Sequence, residues 1–301
     1  MKASGAARWA GPLLLLVPGL ALAQGYLRTR VPDREACLFW PDRRVALVAQ
    51  EAGSARTPGE TEFSALEAAV EGWARLSRRC SDVALGVTGR SRSTTVGYLQ
   101  GGQNENLVLY RETRCEDVVP PDDGCQADGA CGNGWNCWDH GEGILALTTT
   151  TYNVRTGALV DADVEMNAAP YLFTTVSSPA CAEGQDATTC VSTDVQNTLT
   201  HELGHLLGFD HVEEPTSTMA ATAPPGELSK RVIDPDTATG FCVAYPAGLP
   251  TPPCNGPAVA RIVAQSRGSP GCSAVGGEGA AWLLAWLWVG GLCAGGRMGQ
   301  R

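Results

Sequence analysis

Between Thr61 and Ser77, Phe63, Leu66, Val70, Trp73 and Leu76 recur at steps of three and four. That spacing puts all five on one face of an amphipathic helix. A different period governs residues 159 to 167, LVDADVEMN, where Val160, Ala162, Val164 and Met166 alternate with Asp161, Asp163 and Glu165. Alternation at two predicts a strand with one polar face. A row of three carboxylates on one face is able to bind calcium, but a solvated face is the simpler reading. The runs RVALVA at 44–49, VALGVT at 83–88 and LVLY at 107–110 predict further strands. ILALTTTTY at 144–152 has high strand propensity.

Residues 115–143 hold four cysteines among many Asp, Gly and Asn, the composition of a disulfide-pinned loop region. Beyond them, Val195, Leu199, Leu203 and Leu206 form an apolar stripe at helical spacing. Thr193 followed by Gln196 fits a capping box and places the start of that helix near Thr193. No internal repeat is visible.

The two ends differ from this body. Lys2 and Arg8 precede the apolar stretch AGPLLLLVPGLAL at 10–22, and Ala21 and Ala23 match a small-x-small cleavage pattern. Residues 1–23 therefore read as a signal peptide, with Gln24 the first mature residue. Residues 247–279 are rich in Pro, Gly, Ala and Ser, and the linker is assigned to 249–270. The uncharged run AAWLLAWLWVGGLCAGG at 280–296, followed by Arg297 and Arg301, reads as a short membrane segment within a tail spanning 271–301.

Charge and cysteine content narrow the setting. The formal net charge of -10, without a basic block in the body, argues against nucleic acid as a partner and leaves the tail as the one membrane contact. Of the twelve cysteines, ten lie in the body: Cys37, Cys80, Cys115, Cys125, Cys131, Cys137, Cys181, Cys190, Cys242 and Cys254. An even number in an exported chain implies up to five disulfides. Cys181 with Cys190 is the first expected pair, and Cys242 with Cys254 a second. The wide spacing of Cys125, Cys131 and Cys137 lacks the CxxC knuckles of zinc sites.

Chemistry concentrates in HELGHLLGFDH, residues 201–211, which holds three of the four histidines. His201 and His205 lie one helical turn apart, so both imidazoles leave the same face. Glu202 sits beside the first and can reach a metal-bound water. Gly208 tolerates positive φ and can end the helix in a sharp turn, which lets His211 swing back to the same point. Three histidines leave a fourth tetrahedral position for water, the open geometry of a catalytic zinc. Zinc would lower that water's pKa to about 7, and Glu202 would act as general base and then pass the proton to the leaving amine. Calcium is conceivable but has no dedicated motif.

HExxHxxGxxH over 201–211, with Met219 eight residues after His211, resembles the signature and Met-turn of the metzincin metallopeptidases, in the matrixin-like pattern. The resemblance implies His201, His205 and His211 as ligands of one zinc ion, Glu202 as base and Met219 as a structural residue beneath the site. It implies an α+β, sandwich-like catalytic domain over 24–248, with a twisted mixed sheet, a long active-site helix and disulfide-pinned loops. The helix at 61–77, the strands around 144–167 and DPDTATGFCVAYP at 234–246 fall in metzincin order. In such folds a rim strand pairs with substrate backbone, and Ile144, Leu145, Ala146 and Leu147 are the candidates here. His140 precedes that strand as a loop histidine. Three positions depart from the matrixin pattern: Val212 replaces the usual serine, and Ala220-Ala221 replaces Tyr-Pro. No cysteine-switch motif precedes the domain.

Gly271-Cys272, a spacer, an apolar run and terminal arginines resemble the sorting signal of myxobacterial surface proteins. That resemblance implies Cys272 as the position handled by a myxosortase-like processing protease. The expectation is thus an exported zinc metalloendopeptidase at the cell surface, outer membrane or outside the cell, acting on protein or peptide. The rival reading is a non-catalytic surface binding or adhesion module that retains the metzincin fold. A zinc hydrolase acting on another bond is a third.

Overall fold

The computed structural model describes residues 25–128, 130–254 and 272–273. The stretch expected to be a signal peptide, the apolar run at 280–296 and most of the expected tail lie outside the described residues. Among the described residues no helix is long and apolar enough to cross a membrane.

In chain order the elements are β1 (Leu27–Arg28), β2 (Arg44–Gln50), α1 (Thr61–Cys80), β3 (Ala84–Ser91), β4 (Asn106–Arg111), α2 (Cys115–Val118), α3 (Cys125–Asp128), α4 (Gly132–Trp135), β5 (Ile144–Tyr152), β6 (Leu159–Asn167), β7 (Phe173–Thr174), β8 (Thr193–Asp194), α5 (Val195–Leu206), β9 (Phe209–Asp210), α6 (Pro235–Ala244) and β10 (Cys272–Ser273). The main sheet is mixed, in the order β10-β5-β6-β4-β2-β3. β3, β2, β4 and β6 are mutually parallel, while β5 runs antiparallel to β6. The architecture is α+β, and every body strand and long helix expected from the hydrophobic pattern is present.

One face of the sheet carries the core. Leu66, Val70 and Trp73 of α1, Ala162, Val164 and Met166 of β6, and Leu199, Leu203 and Leu206 of α5 belong to one buried cluster. α1 and α5 pack on each other, α1 against β3 and α5 against β5. The periodic positions of the sequence therefore converge on one apolar layer, as burial of a helix stripe against a sheet face requires.

The other face of β6 corrects an expectation. Asp161, Asp163 and Glu165 are 2%, 1% and 3% exposed, so the row is not a solvated face. Chain from outside the strand covers it. The amides of Gly97 and Leu107 donate to Asp163 at 2.6 and 2.8 Å. Arg111, fully buried on β4, reaches Glu165 at 2.7 Å and spreads its other donors over Gly132 O, Asn136 and Asn133. Burial raises the pKa of both Asp161 and Asp163, with Asp163 pushed up to about 7. Val160, grouped by its period with the apolar face, is 47% exposed.

Five disulfides close the described chain: Cys37–Cys254, Cys80–Cys242, Cys115–Cys137, Cys125–Cys131 and Cys181–Cys190. Cys181 and Cys190 pair as expected. Cys242 does not pair with Cys254. α6 packs beside α1, which brings Cys242 to the end of α1 and Cys80. Cys254 instead meets Cys37 near the N-terminal strand, where Arg28 donates to Pro252 O at 3.0 Å. Arg43 holds Leu249 O at 2.6 Å, so residues 249–254 are tied to the body.

Candidate metal centre

The centre is built on α5, whose start differs from the expected capping box. Thr193 is drawn into the β7–β8 pairing, and Asp194 becomes the N-cap, accepting from the Asn197 amide at 2.7 Å. A side-chain acceptor at this position satisfies one of the amides a helix start leaves unpaired. Arg231 pairs with the same Asp194 carboxylate.

His201 and His205 project from one face of α5, and His211 joins them from beyond its end. The Nε2 atoms of His201 and His205 are 3.0 Å apart, those of His205 and His211 3.0 Å, and those of His201 and His211 3.1 Å. All three residues are buried. His201 Nδ1 lies 2.6 Å from Thr218 O, and His205 Nδ1 lies 2.8 Å from Phe209 O. A carbonyl only accepts, so both Nδ1 atoms carry a hydrogen, which leaves Nε2 as the nitrogen of each ring that can give a lone pair to a metal. Burial, and then the neighbouring His205 and His211, hold the His201 pKa well below the ordinary histidine value. A proton is therefore a poor solution to the converging nitrogens, and a cation shared among them is a good one. Three nitrogens at ~2.0–2.1 Å from one tetrahedral ion lie about 3.3 Å apart, close to the spacing here.

Chain reversal delivers His211. Gly208 has φ of +87°, and a Cβ there would meet Leu38 O at 2.6 Å. The N-terminal segment then clamps the turn. Thr29 N donates to Gly208 O at 2.9 Å, and β1 pairs antiparallel with β9, Leu27 opposite Asp210. Asp210 Oδ1 accepts from the His211 amide at 2.8 Å.

Met219 is fully buried, against α5 at Gly204. Its carbonyl accepts from Val212 N at 3.0 Å, which ties the turn to the residue after His211. Asp234, the N-cap of α6, accepts from Thr218 N at 2.7 Å, and its own amide donates to Thr218 Oγ1 at 2.9 Å. These bonds set the carbonyl that orients His201, a supporting role of the kind that fixes tautomer and ring orientation in metal sites. Sequence spacing identified Met219 but offered no signal for Thr218 or Asp234.

Glu202, the residue after His201 on α5, is fully buried. Thr148 Oγ1 of β5 lies 2.6 Å from Glu202 Oε2 and 3.2 Å from Glu202 O. Glu202 Oε1 has no hydrogen-bond partner. Thr148 was invisible to spacing, because it lies 54 residues from Glu202 in the chain. Ile144, Leu145, Ala146 and Leu147 form the first part of β5, upstream of Thr148. On the edge of β5 away from β6, Cys272 pairs with Ala146 and Ser273 with Ile144. His140 stands apart from the triad: its Nε2 is 3.3 Å from Glu165 Oε2 and 3.5 Å from Asp139.

His201, His205 and His211 form a group able to hold one metal ion. Imidazole donors suit zinc, copper, iron or nickel. Compared with known proteins, the chain matches no family model and no curated relative.

Proposed function

We propose that this chain is an exported zinc-dependent endopeptidase with a metzincin-like catalytic domain. The observation that carries the reading is the meeting of three histidine Nε2 atoms within 3.1 Å, two of them from the helix that also carries the buried carboxylate of Glu202 with one unpartnered oxygen. A structural zinc is usually closed by four protein ligands, whereas three ligands beside a base is the arrangement of a hydrolytic site. The order of the elements and the Met219 turn support the metzincin reading. Export is supported by the five disulfides, which persist in oxidising compartments. Anchoring or processing through the tail at Cys272 belongs to the same reading.

His201, His205 and His211 would hold the ion. When bound, zinc supplies Lewis acidity, which makes water a nucleophile near neutral pH and polarises a carbonyl. Glu202 accepts the water proton at Oε1 and returns it to the leaving amine nitrogen. The β5 edge over Ile144–Leu147, which pairs with Cys272 and Ser273 in this structure, would receive an extended peptide in their place by strand addition, which orients the scissile bond along the site.

The test uses the oxidatively folded full chain and its Glu202→Gln variant. Bound zinc and cleavage of an unstructured protein such as casein are measured for both. About one zinc per chain in each, with cleavage in the wild type alone, is the expected result. Zinc without cleavage, across a panel of unstructured proteins and peptides, would turn the reading toward a binding module.

A further inference from the structure

We infer that Thr148 is a positioning residue for the general base, and that its hydroxyl decides which oxygen of Glu202 is available to the reacting water. The inference rests on the peptidase reading of the site. A hydroxyl has one hydrogen to donate. The closer contact, 2.6 Å to Glu202 Oε2, takes it. One carboxylate oxygen is then committed to the protein. The other, Oε1, is buried without a partner, and a buried acceptor left in that state is costly unless something else visits it.

The placement of Thr148 is rigid. It is 2% exposed in the middle of β5, opposite Val164 of β6 in the ladder. Glu202 is held from the other side by α5, so strand and helix fix the two ends of the hydrogen bond. A glutamate carboxylate otherwise turns about its terminal bond with little preference. The hydroxyl removes that freedom. Thr148 also follows directly on the segment proposed to pair with substrate, so one strand aligns both the peptide and the base.

Thr148→Val keeps the branched shape and strand propensity and removes the donor. Thr148→Ser keeps the donor. Each is made in the full chain and assayed with a fluorogenic peptide excised from a casein site that the wild type cleaves. Thr148→Val is expected to bind zinc as the wild type does, to keep KM, and to lose about 10–100-fold in kcat, the scale for a misplaced catalytic group. Thr148→Ser is expected to restore most of kcat. A Thr148→Val variant with kcat within about twofold of wild type, or with the whole loss in KM, overturns the inference.

A crystal structure of zinc-loaded Thr148→Val provides a readout independent of turnover. The Glu202 carboxylate is expected to rotate or to occupy two orientations there. An unmoved carboxylate overturns the positioning role even if activity falls. A wild type that binds zinc but cleaves nothing, together with a carboxylate that moves in the variant, would sink the peptidase reading and leave the Thr148 contact standing.

Discussion

Gly204 and Met219 are in direct apposition: a Cβ on Gly204 would lie 2.3 Å from Met219 Sδ. Gly204 sits on α5 between the two helical histidines, so the helix face beneath the site is flat only because that side chain is missing. The glycine in the HExxH stretch thus matters for packing as the histidines would for a metal.

Gly204→Ala should therefore push either Met219 or α5 out of place. Overpacking of a filled core costs about 1–3 kcal/mol. Each kcal/mol corresponds to about 2–4 °C in Tm for a domain of this size. A lower Tm and weaker zinc affinity are expected, with partial recovery in the Gly204→Ala, Met219→Ala double variant. Additive losses in that cycle would show that the two positions do not interact.

Gly208→Ala tests the turn that returns His211. At φ of +87° a side chain is strained, and the Cβ would meet the Leu38 carbonyl at 2.6 Å. A residue other than glycine in such a conformation costs on the order of 1–3 kcal/mol before any clash. Loss of zinc stoichiometry, beyond a drop in Tm, is the expected outcome. Full zinc loading in a stably folded variant would mean that His211 reaches the ion without this turn.

Metal removal should be felt as instability. Three inward-facing nitrogens stabilise the fold only through a shared cation, so a strong chelator should lower Tm, and zinc should raise it in proportion to the logarithm of its concentration. At a thousandfold excess over Kd the gain is about 4 kcal/mol. His211→Ala should abolish most of the zinc response. A thermal unfolding curve indifferent to zinc would count against the centre.

The pair Asp161 and Asp163 makes stability depend on pH. Burial raises the pKa of both, Asp163 from an ordinary 3.8 to about 7. A raised folded pKa means that the fold favours the protonated carboxyl. The contribution is complete below about pH 4 and is lost as pH rises toward 7. Asp161→Asn keeps the shape and removes one of the two charges. With the metal stripped by chelator, the variant should be more stable than wild type at pH 8, with the advantage shrinking toward pH 4. Equal advantage at both values, by thermal unfolding, would contradict a buried carboxyl pair.

Much of this protein was legible in the chain itself, and for one reason. Helix and strand periods are local, so Leu66, Val70 and Trp73 had to share a face, and His201 and His205 had to project together one turn apart. The HExxHxxGxxH spacing is likewise local: a helix, a glycine that can reverse the chain, and a third histidine within reach.

What tertiary structure decided lies beyond that range. The alternation in β6 specified two faces but not what would cover them; chain folded over the second face turned Asp161, Asp163 and Glu165 into buried groups. Thr193 had the chemistry of a cap, but the β7–β8 ladder claimed its backbone, and Asp194 took the role. Cys80 found Cys242 because α1 and α6 pack together, a contact set by the shape of the core rather than by spacing. Thr148 met Glu202 for the same reason. Contacts between distant segments follow from how whole layers bury their apolar faces against each other, and no window along the chain contains both partners.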